Sequence, residues 1–98
     1  MATRIEIEKA LRYLAPDIPD HEFGAIADHA MDSPGLRSAA PETAAWLSML
    51  SFIRHALTEY DSLLEEGYER ESARHFVAAD MQAVLKEWGV KRPLKLSE

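Results

Sequence analysis

Cysteine is absent from this chain of 98 residues. Its absence excludes disulfide bonds, thiolate catalysis and cysteine-based zinc sites, and it fits a protein of the reducing cytoplasm. Glycine and proline are scarce, at four and five residues, and no glycine-rich phosphate loop is present. No stretch approaches the roughly 20 apolar residues of a membrane span. The charged start MATRIEIEKAL also lacks the apolar centre of a signal peptide, so no membrane association is expected.

Positive charge is in deficit, because 11 Lys and Arg residues face 17 Asp and Glu residues for a net charge of −6. Such a surface as a whole repels nucleic-acid phosphates, although a local basic patch could still bind them. Length and a hydrophobic content of 47% indicate one domain with one small core. We therefore predict a single helical domain over residues 1–90 and a flexible basic tail over residues 91–98.

Apolar residues recur with the helical period in four segments, and no segment alternates with the period of a strand. The four predicted helices cover Arg4–Leu14, Asp20–Asp32, Pro41–Leu64 and Glu69–Trp88. The stretch between the second and third helices, residues 33–40, is expected to be irregular. The predicted fold is an all-α, small four-helix domain in which the third and fourth helices form a long antiparallel αα-hairpin. The two shorter helices cover this hairpin.

Local signals define the ends of these helices. Thr3 and Glu6 have the spacing of a capping box, in which each side chain bonds the other residue's backbone amide. Asp20 is predicted as the N-cap of the second helix. Gly67 and Gly89 are predicted to end the third and fourth helices in the left-handed conformation.

The third helix carries an unusual set of polar side chains between Phe52 and Leu64. On a helical wheel, Arg54, Thr58 and Asp61 fall on one flank of the apolar face, whereas His55 points outward from the middle of the polar face. One interpretation is a structural boundary network that fixes the helix to a neighbouring loop. The other is the polar edge of a ligand site. A guanidinium neutralised by a neighbouring carboxylate argues against capture of a free anion by Arg54.

Two more residues suggest polar chemistry. Asp80 falls inside the predicted apolar arc of the fourth helix, where a carboxylate is costly unless it is paired or hydrogen-bonded. It would be either a buried structural pair or an acid with a shifted pKa at a site. Arg37 precedes the third helix, where free amides and a cation could bind an anion, although an ordinary connector explains this stretch too.

The four histidines include two with acidic neighbours at helical spacing. His29 lies between Asp28 and Asp32, and His55 precedes Glu59 by four residues. Such spacing occurs in metal sites, but no strong template such as HExxH is present. A hydrogen-bonded boundary histidine is the commoner outcome for His29. We therefore predict neither a bound metal nor a cofactor.

The central motif resembles that of the domain-of-unknown-function 2293 family of bacterial and fungal proteins. The matching residues are Ile53-Arg54-His55, Thr58, Tyr60-Asp61 and Leu63-Leu64, flanked by Ile18-Pro19, Ala25-Ile26, His29-Ala30, Gly67, Arg70 and Ala73-Arg74. The similarity covers residues 11–88. Family members carry more glycine and arginine after the His-Ala pair, of which only Gly35 and Arg37 remain in this chain. The family has no established activity, so the resemblance implies a domain type and a set of candidate residues.

Three hypotheses about function follow. The first is a non-catalytic module that binds a protein, or a nucleic acid, through a face carrying Arg37, Arg54, His55 and Arg74. The second is a small metal-dependent or acid–base hydrolase that uses His29, His55, Asp61 or Asp80. The third is a structural role with homodimerisation through exposed apolar surface. The first is favoured because the chain is small and carries no catalytic template. The candidate binding residues are His29, Arg37, Arg54, His55, Thr58, Asp61, Arg74 and Asp80.

Overall fold

The fold consists of six helices and no strands, in a computed structural model that describes residues 1–98. The helices are Arg4–Leu14 (α1), Asp20–Asp32 (α2), Pro34–Arg37 (α3), Pro41–Ala56 (α4), Tyr60–Glu65 (α5) and Arg70–Glu87 (α6). The all-helical prediction is confirmed, but the four-helix arrangement with one long hairpin is not. None of the helices combines the length and apolarity needed to cross a bilayer.

The start of α1 carries the predicted capping box. The Glu6 amide donates to the Thr3 hydroxyl at 3.2 Å, and the Thr3 amide donates to the Glu6 carboxylate at 2.9 Å. The hydrogen bond from the Thr3 backbone favours the ionised acid, so the pKa of Glu6 lies below its ordinary value. In α2 the prediction is off by one residue: Pro19 occupies the N-cap in an extended conformation, and Asp20 is the first helical residue.

The long third helix of the prediction is wrong, because it is broken into α4 and α5 at residues 57–59. The Thr58 hydroxyl donates to the Arg54 carbonyl and accepts a hydrogen bond from the Tyr60 amide at 3.2 Å. One side chain thus satisfies backbone groups on both sides of the break. Threonine hydroxyls can replace helical hydrogen bonds in this way. The apolar periodicity of the sequence continues through residues 57–59, so it gives no sign of the break.

The connection before α4 is more ordered than expected. Residues 33–40 contain the short helix α3, which begins with Pro34 in its first turn. The Ser33 hydroxyl accepts from the Leu36 amide at 3.5 Å, as a weak N-cap. This segment also holds the start of the chain, since the Ala2 amide donates to the Arg37 carbonyl at 3.0 Å.

The core surrounds α4, whose central residues are almost fully buried against α1, α2 and α6. Trp46 is the largest of the core side chains that are completely buried. The buried residues of α6 recur every fourth position and are Ala73, Val77, Met81 and Leu85. This stripe is narrower than the predicted arc, and it leaves Phe76 62% exposed. Asp80 is exposed as well, so its predicted burial is wrong and it needs no counterion.

Both predicted glycine stops are confirmed. Gly67 and Gly89 have φ values of 102° and 78°, in the left-handed region that only glycine enters freely. An added Cβ at Gly89 would also lie 2.7 Å from an oxygen of the exposed Asp17 side chain, which can rotate away, and 3.1 Å from Pro16 Cγ. The Asp17 amide donates to the Trp88 carbonyl at 3.0 Å. The end of α6 is therefore fastened to the connection between α1 and α2.

Candidate functional site

Arg54 is a buried cation at the C-terminal end of α4. The residue is only 8% exposed, because it lies one turn after Leu50 on the side of α4 that enters the core. Its Nη2 donates to the main-chain oxygen of Glu98 at 2.5 Å, and its guanidinium lies 5.7 Å from the centre of the Tyr60 ring. Its Nε is buried without a hydrogen-bond partner, and no acidic side chain forms an ion pair with it.

A second arginine raises the cost of this burial. The pKa of Arg54 is lowered, first by loss of hydration on burial and second by the positive charge of Arg74 on α6, with a smaller opposing effect of Tyr60. Arg74 is half-buried, and its Nε also lacks a partner. Two cations thus lie close together, and neither is neutralised by an acidic side chain.

Residues 91–98, predicted as a flexible basic tail, lie against α4 and α6. The Glu98 carboxylate accepts from the Trp46 indole at 2.7 Å and lies 3.6 Å from Arg92 Nη2. Arg92 in turn stacks 4.2 Å from the centre of the Trp46 ring. Leu94 packs against the core. We call Trp46, Arg54 and Arg92, which surround Glu98, the carboxylate site.

Next to the carboxylate site, a cleft of about 710 Å³ opens between the start of α6 and residues 91–98. Its lining residues are Arg70, Glu71, Arg74, His75, Leu96 and Ser97. An aromatic pair flanks this cleft, since the rings of Tyr68 and Phe76 meet edge to face at 5.5 Å and are 44% and 62% exposed as residues. The cleft thus combines guanidinium groups with nearby apolar surface.

The predicted flank of Arg54, Thr58 and Asp61 forms only in part, because the Thr58 hydroxyl bonds the Arg54 carbonyl but the helix breaks before Asp61. Asp61 instead meets His55, with 2.7 Å between its carboxylate and the imidazole Nδ1. His55 also contacts the Tyr60 ring edge to face at 5.3 Å. The placement of His55 apart from Asp61 was therefore wrong, although His55 is exposed as expected.

His29 and His55 line one shallow depression of about 230 Å³ together with Ser51, Phe52 and Ala56. Both imidazoles are exposed. No group of three or more histidine, aspartate or glutamate side chains is arranged to hold a metal ion. This depression therefore offers one imidazole–carboxylate pair and a second imidazole beside it.

Two other candidates lie apart from both groups. Arg37 ends α3, before the start of α4, whereas Arg54 lies 13 residues, roughly 20 Å of helical rise, after Pro41 in α4. The Nε of Arg37 is buried without a partner. Asp80 is exposed on α6 and makes no ion pair. The proposed single face carrying Arg37, Arg54, His55 and Arg74 is thus divided, and only Arg54 and Arg74 share a location.

Trp46 and Glu98 were not predicted as parts of a polar site. Trp46 was assigned to the core by its periodicity, and this assignment is correct for most of its surface. One signal could have pointed further, because a buried indole N–H needs an acceptor. Its acceptor is 52 positions away in the sequence, a distance at which no local pattern operates.

The comparisons with known proteins point to one family. A family model described as an uncharacterized conserved protein, DUF2293, matches residues 10–89. This range contains the central motif and its flanking residues, and the resemblance expected from them is confirmed. No curated protein and no solved structure matches the chain. The matched range includes Trp46, Arg54 and Arg74, whereas Arg92 and Glu98 follow it.

Proposed function

The chain belongs to the DUF2293 family, and we propose that it is a non-catalytic interaction module that binds a protein partner through a carboxylate-bearing segment. The proposed binding surface consists of the carboxylate site and the adjoining cleft lined by Arg74. An interaction module needs a partner-specific surface and no reactive group. The arginine pair and the exposed aromatic pair meet this need.

The observation that carries the proposal is the burial of Arg54 without an acidic side chain. A buried cation loses several kcal/mol of hydration unless its charge is matched. Arg74 increases the penalty by repulsion. A fold under selection for stability alone would place an apolar residue here. An incoming carboxylate that displaces Glu98 would supply an acceptor for Arg54 Nε as well as for Nη2, because guanidinium groups bind carboxylates with two parallel hydrogen bonds.

Charge favours a protein over a nucleic acid as the partner. Nucleic acids are bound by rows of cations that follow a phosphate backbone, whereas this chain carries a net charge of −6. Glu71 lies in the same cleft as Arg70 and Arg74, so the local field is mixed. The exposed aromatic pair of Tyr68 and Phe76 adds the apolar contact that peptide side chains use.

The proposal is tested by fluorescence anisotropy with labelled peptides that contain Glu or Asp, and with labelled single-stranded RNA. We expect peptide binding that weakens about tenfold or more in Arg74→Gln, because a hydrogen bond to a charged group is lost. Lys9→Gln is the matched control, since Lys9 is an exposed cation on α1. Equal weakening in both variants, or binding of RNA alone, would contradict the proposal.

A second candidate function rests on the contact between His55 and Asp61. A carboxylate bonded to Nδ1 orients an imidazole as an acid–base catalyst, as in many hydrolases. Ser51 and His29 border the same depression. Hydrolysis of p-nitrophenyl acetate tests this candidate: His55→Ala and Asp61→Asn should lower the rate, whereas His21→Ala, which changes another exposed histidine, should not. A rate equal in all variants excludes it.

A further inference from the structure

Glu98 occupies the carboxylate site as a ligand would. Its carboxylate accepts from the Trp46 indole at 2.7 Å, and its main-chain oxygen accepts from Arg54 at 2.5 Å. Trp46 and Arg54 are 1% and 8% exposed, so the donors are held rigidly by the core. The Glu98 side chain itself is 17% exposed. A single acidic residue is thus bound by two preformed donors from α4.

The neighbouring contacts define the peptide geometry that fits this site. Leu94 packs against the core, and its amide donates to the Gln82 side chain at 3.4 Å. A turn then joins Lys95 to Glu98: the Glu98 amide donates to the Lys95 carbonyl at 2.9 Å, and the Lys95 amide donates to the Glu98 carboxylate at 3.2 Å. The bound element is a leucine followed, after one turn, by a glutamate.

The segment leaves binding capacity unused. The Nε groups of Arg54 and Arg74 remain buried without partners while Glu98 is in place. Most other residues of the segment, including Lys95, Leu96 and Ser97, are exposed. A segment held by few contacts can be displaced by a ligand that satisfies these additional donors. Because the segment is covalently attached, it competes at an effective concentration on the order of millimolar.

We propose that residues 91–98 act as an internal ligand that competes with the partner for the carboxylate site. This inference rests on the proposed function and specifies its ligand as a peptide with a leucine-like side chain one turn before a carboxylate. The partner's apparent affinity is reduced by the fraction of molecules in which the site is already filled. Weakening the internal ligand should therefore strengthen binding of the partner.

The test uses the full chain and a synthetic peptide with the sequence of residues 91–98. The peptide is acetylated and amidated, so the side chain corresponding to Glu98 carries its only carboxylate. We expect Glu98→Gln protein to bind this peptide about tenfold more tightly than the unmodified protein does, by isothermal calorimetry. A peptide with Gln in place of Glu should not bind. Glu66→Gln protein, altered at an exposed acid after α5, serves as the control.

Nuclear magnetic resonance provides a second readout that does not depend on any substitution. Saturating peptide should shift the Trp46 indole N–H signal of the unmodified protein and move the amides of residues 91–98 toward free-peptide positions. If these amide signals are unchanged, and if the Glu98→Gln and unmodified proteins bind the peptide with equal affinity, residues 91–98 do not act as an internal ligand. Under that result the proposed function stands if Glu- and Asp-containing peptides still bind through Arg74, and it fails separately if they do not.

Discussion

Replacing Arg54 with methionine should stabilise the fold while weakening the proposed binding. Methionine is unbranched and of similar reach, so it can fill the space of the arginine stem. The lowered pKa of Arg54 means that the folded state disfavours its charged form. Removing the charge removes that cost. The change therefore separates a cation kept for binding from one that anchors the structure.

The size of the effect follows from two opposing contributions. The variant loses one hydrogen bond from the guanidinium to the Glu98 main-chain oxygen, worth about 1.5–3 kcal/mol because the donor is charged. In return, the variant no longer pays the hydration cost of a buried ion, which is several kcal/mol, and it no longer suffers the repulsion of Arg74. Because this hydrogen bond is only part-buried, the hydration cost is smaller than in a dry interior, and we expect a net stabilisation of about 1 kcal/mol.

Thermal unfolding followed by far-ultraviolet circular dichroism measures this change. A gain of about 1 kcal/mol corresponds to a Tm higher by roughly 4–8 °C for a domain of this size. Arg70→Met is the matched control, since Arg70 is exposed at the start of α6, and its effect should stay within about 0.5 kcal/mol. If Arg54→Met lowers the free energy of unfolding by more than about 1 kcal/mol, Arg54 is a structural anchor and its burial no longer supports a binding role.

Four further predictions concern the scaffold. Gly89→Ala should destabilise the protein by about 1–2 kcal/mol in urea unfolding, because the left-handed φ opposes a Cβ; an unchanged midpoint would refute this. Thr3→Ala should cost about 1 kcal/mol through the lost cap. The contribution of Glu6 should be complete above the ordinary pKa of glutamate and disappear as the pH falls through its lowered folded-state pKa, so Glu6→Gln and unmodified protein should converge in acid. Asp80→Asn should change the free energy of unfolding by less than about 0.5 kcal/mol, since Asp80 is exposed. A large loss of stability would instead support the buried ion pair that the periodicity predicted.

Local signals predicted the ends of the helices better than their interiors. The capping box at Thr3 and the stops at Gly67 and Gly89 were found because each acts on its own backbone within a few residues. The break at Thr58 was missed, since apolar periodicity does not register a hydroxyl that replaces helical hydrogen bonds. The burial of Asp80 was predicted wrongly because a helical wheel does not define how wide the buried stripe is.

The candidate site was predicted only in part, for a different physical reason. Arg54 and Arg74 stood out by residue type and by the family motif, and the structure places them close together. The contact of Arg54 with Glu98 could not be predicted from the sequence, because the hydrogen bonds of Trp46 and Arg54 to Glu98 span 52 and 44 positions. The contact of His55 with Asp61 depended on the helix break, so the error at residues 57–59 carried over into the site.

We expect the break at residues 57–59 to let parts of the molecule open separately. Helices α1, α2 and α4 pack mainly on one another, whereas α5 packs chiefly on α6. In native-state hydrogen exchange, the amides of α5 and α6 should therefore exchange through a partial opening that leaves α4 protected. Glu98 follows α6 and accepts hydrogen bonds from Trp46 and Arg54 of α4, so these contacts oppose that opening. A partner that displaces Glu98 would therefore lower the free energy needed to open α5 and α6.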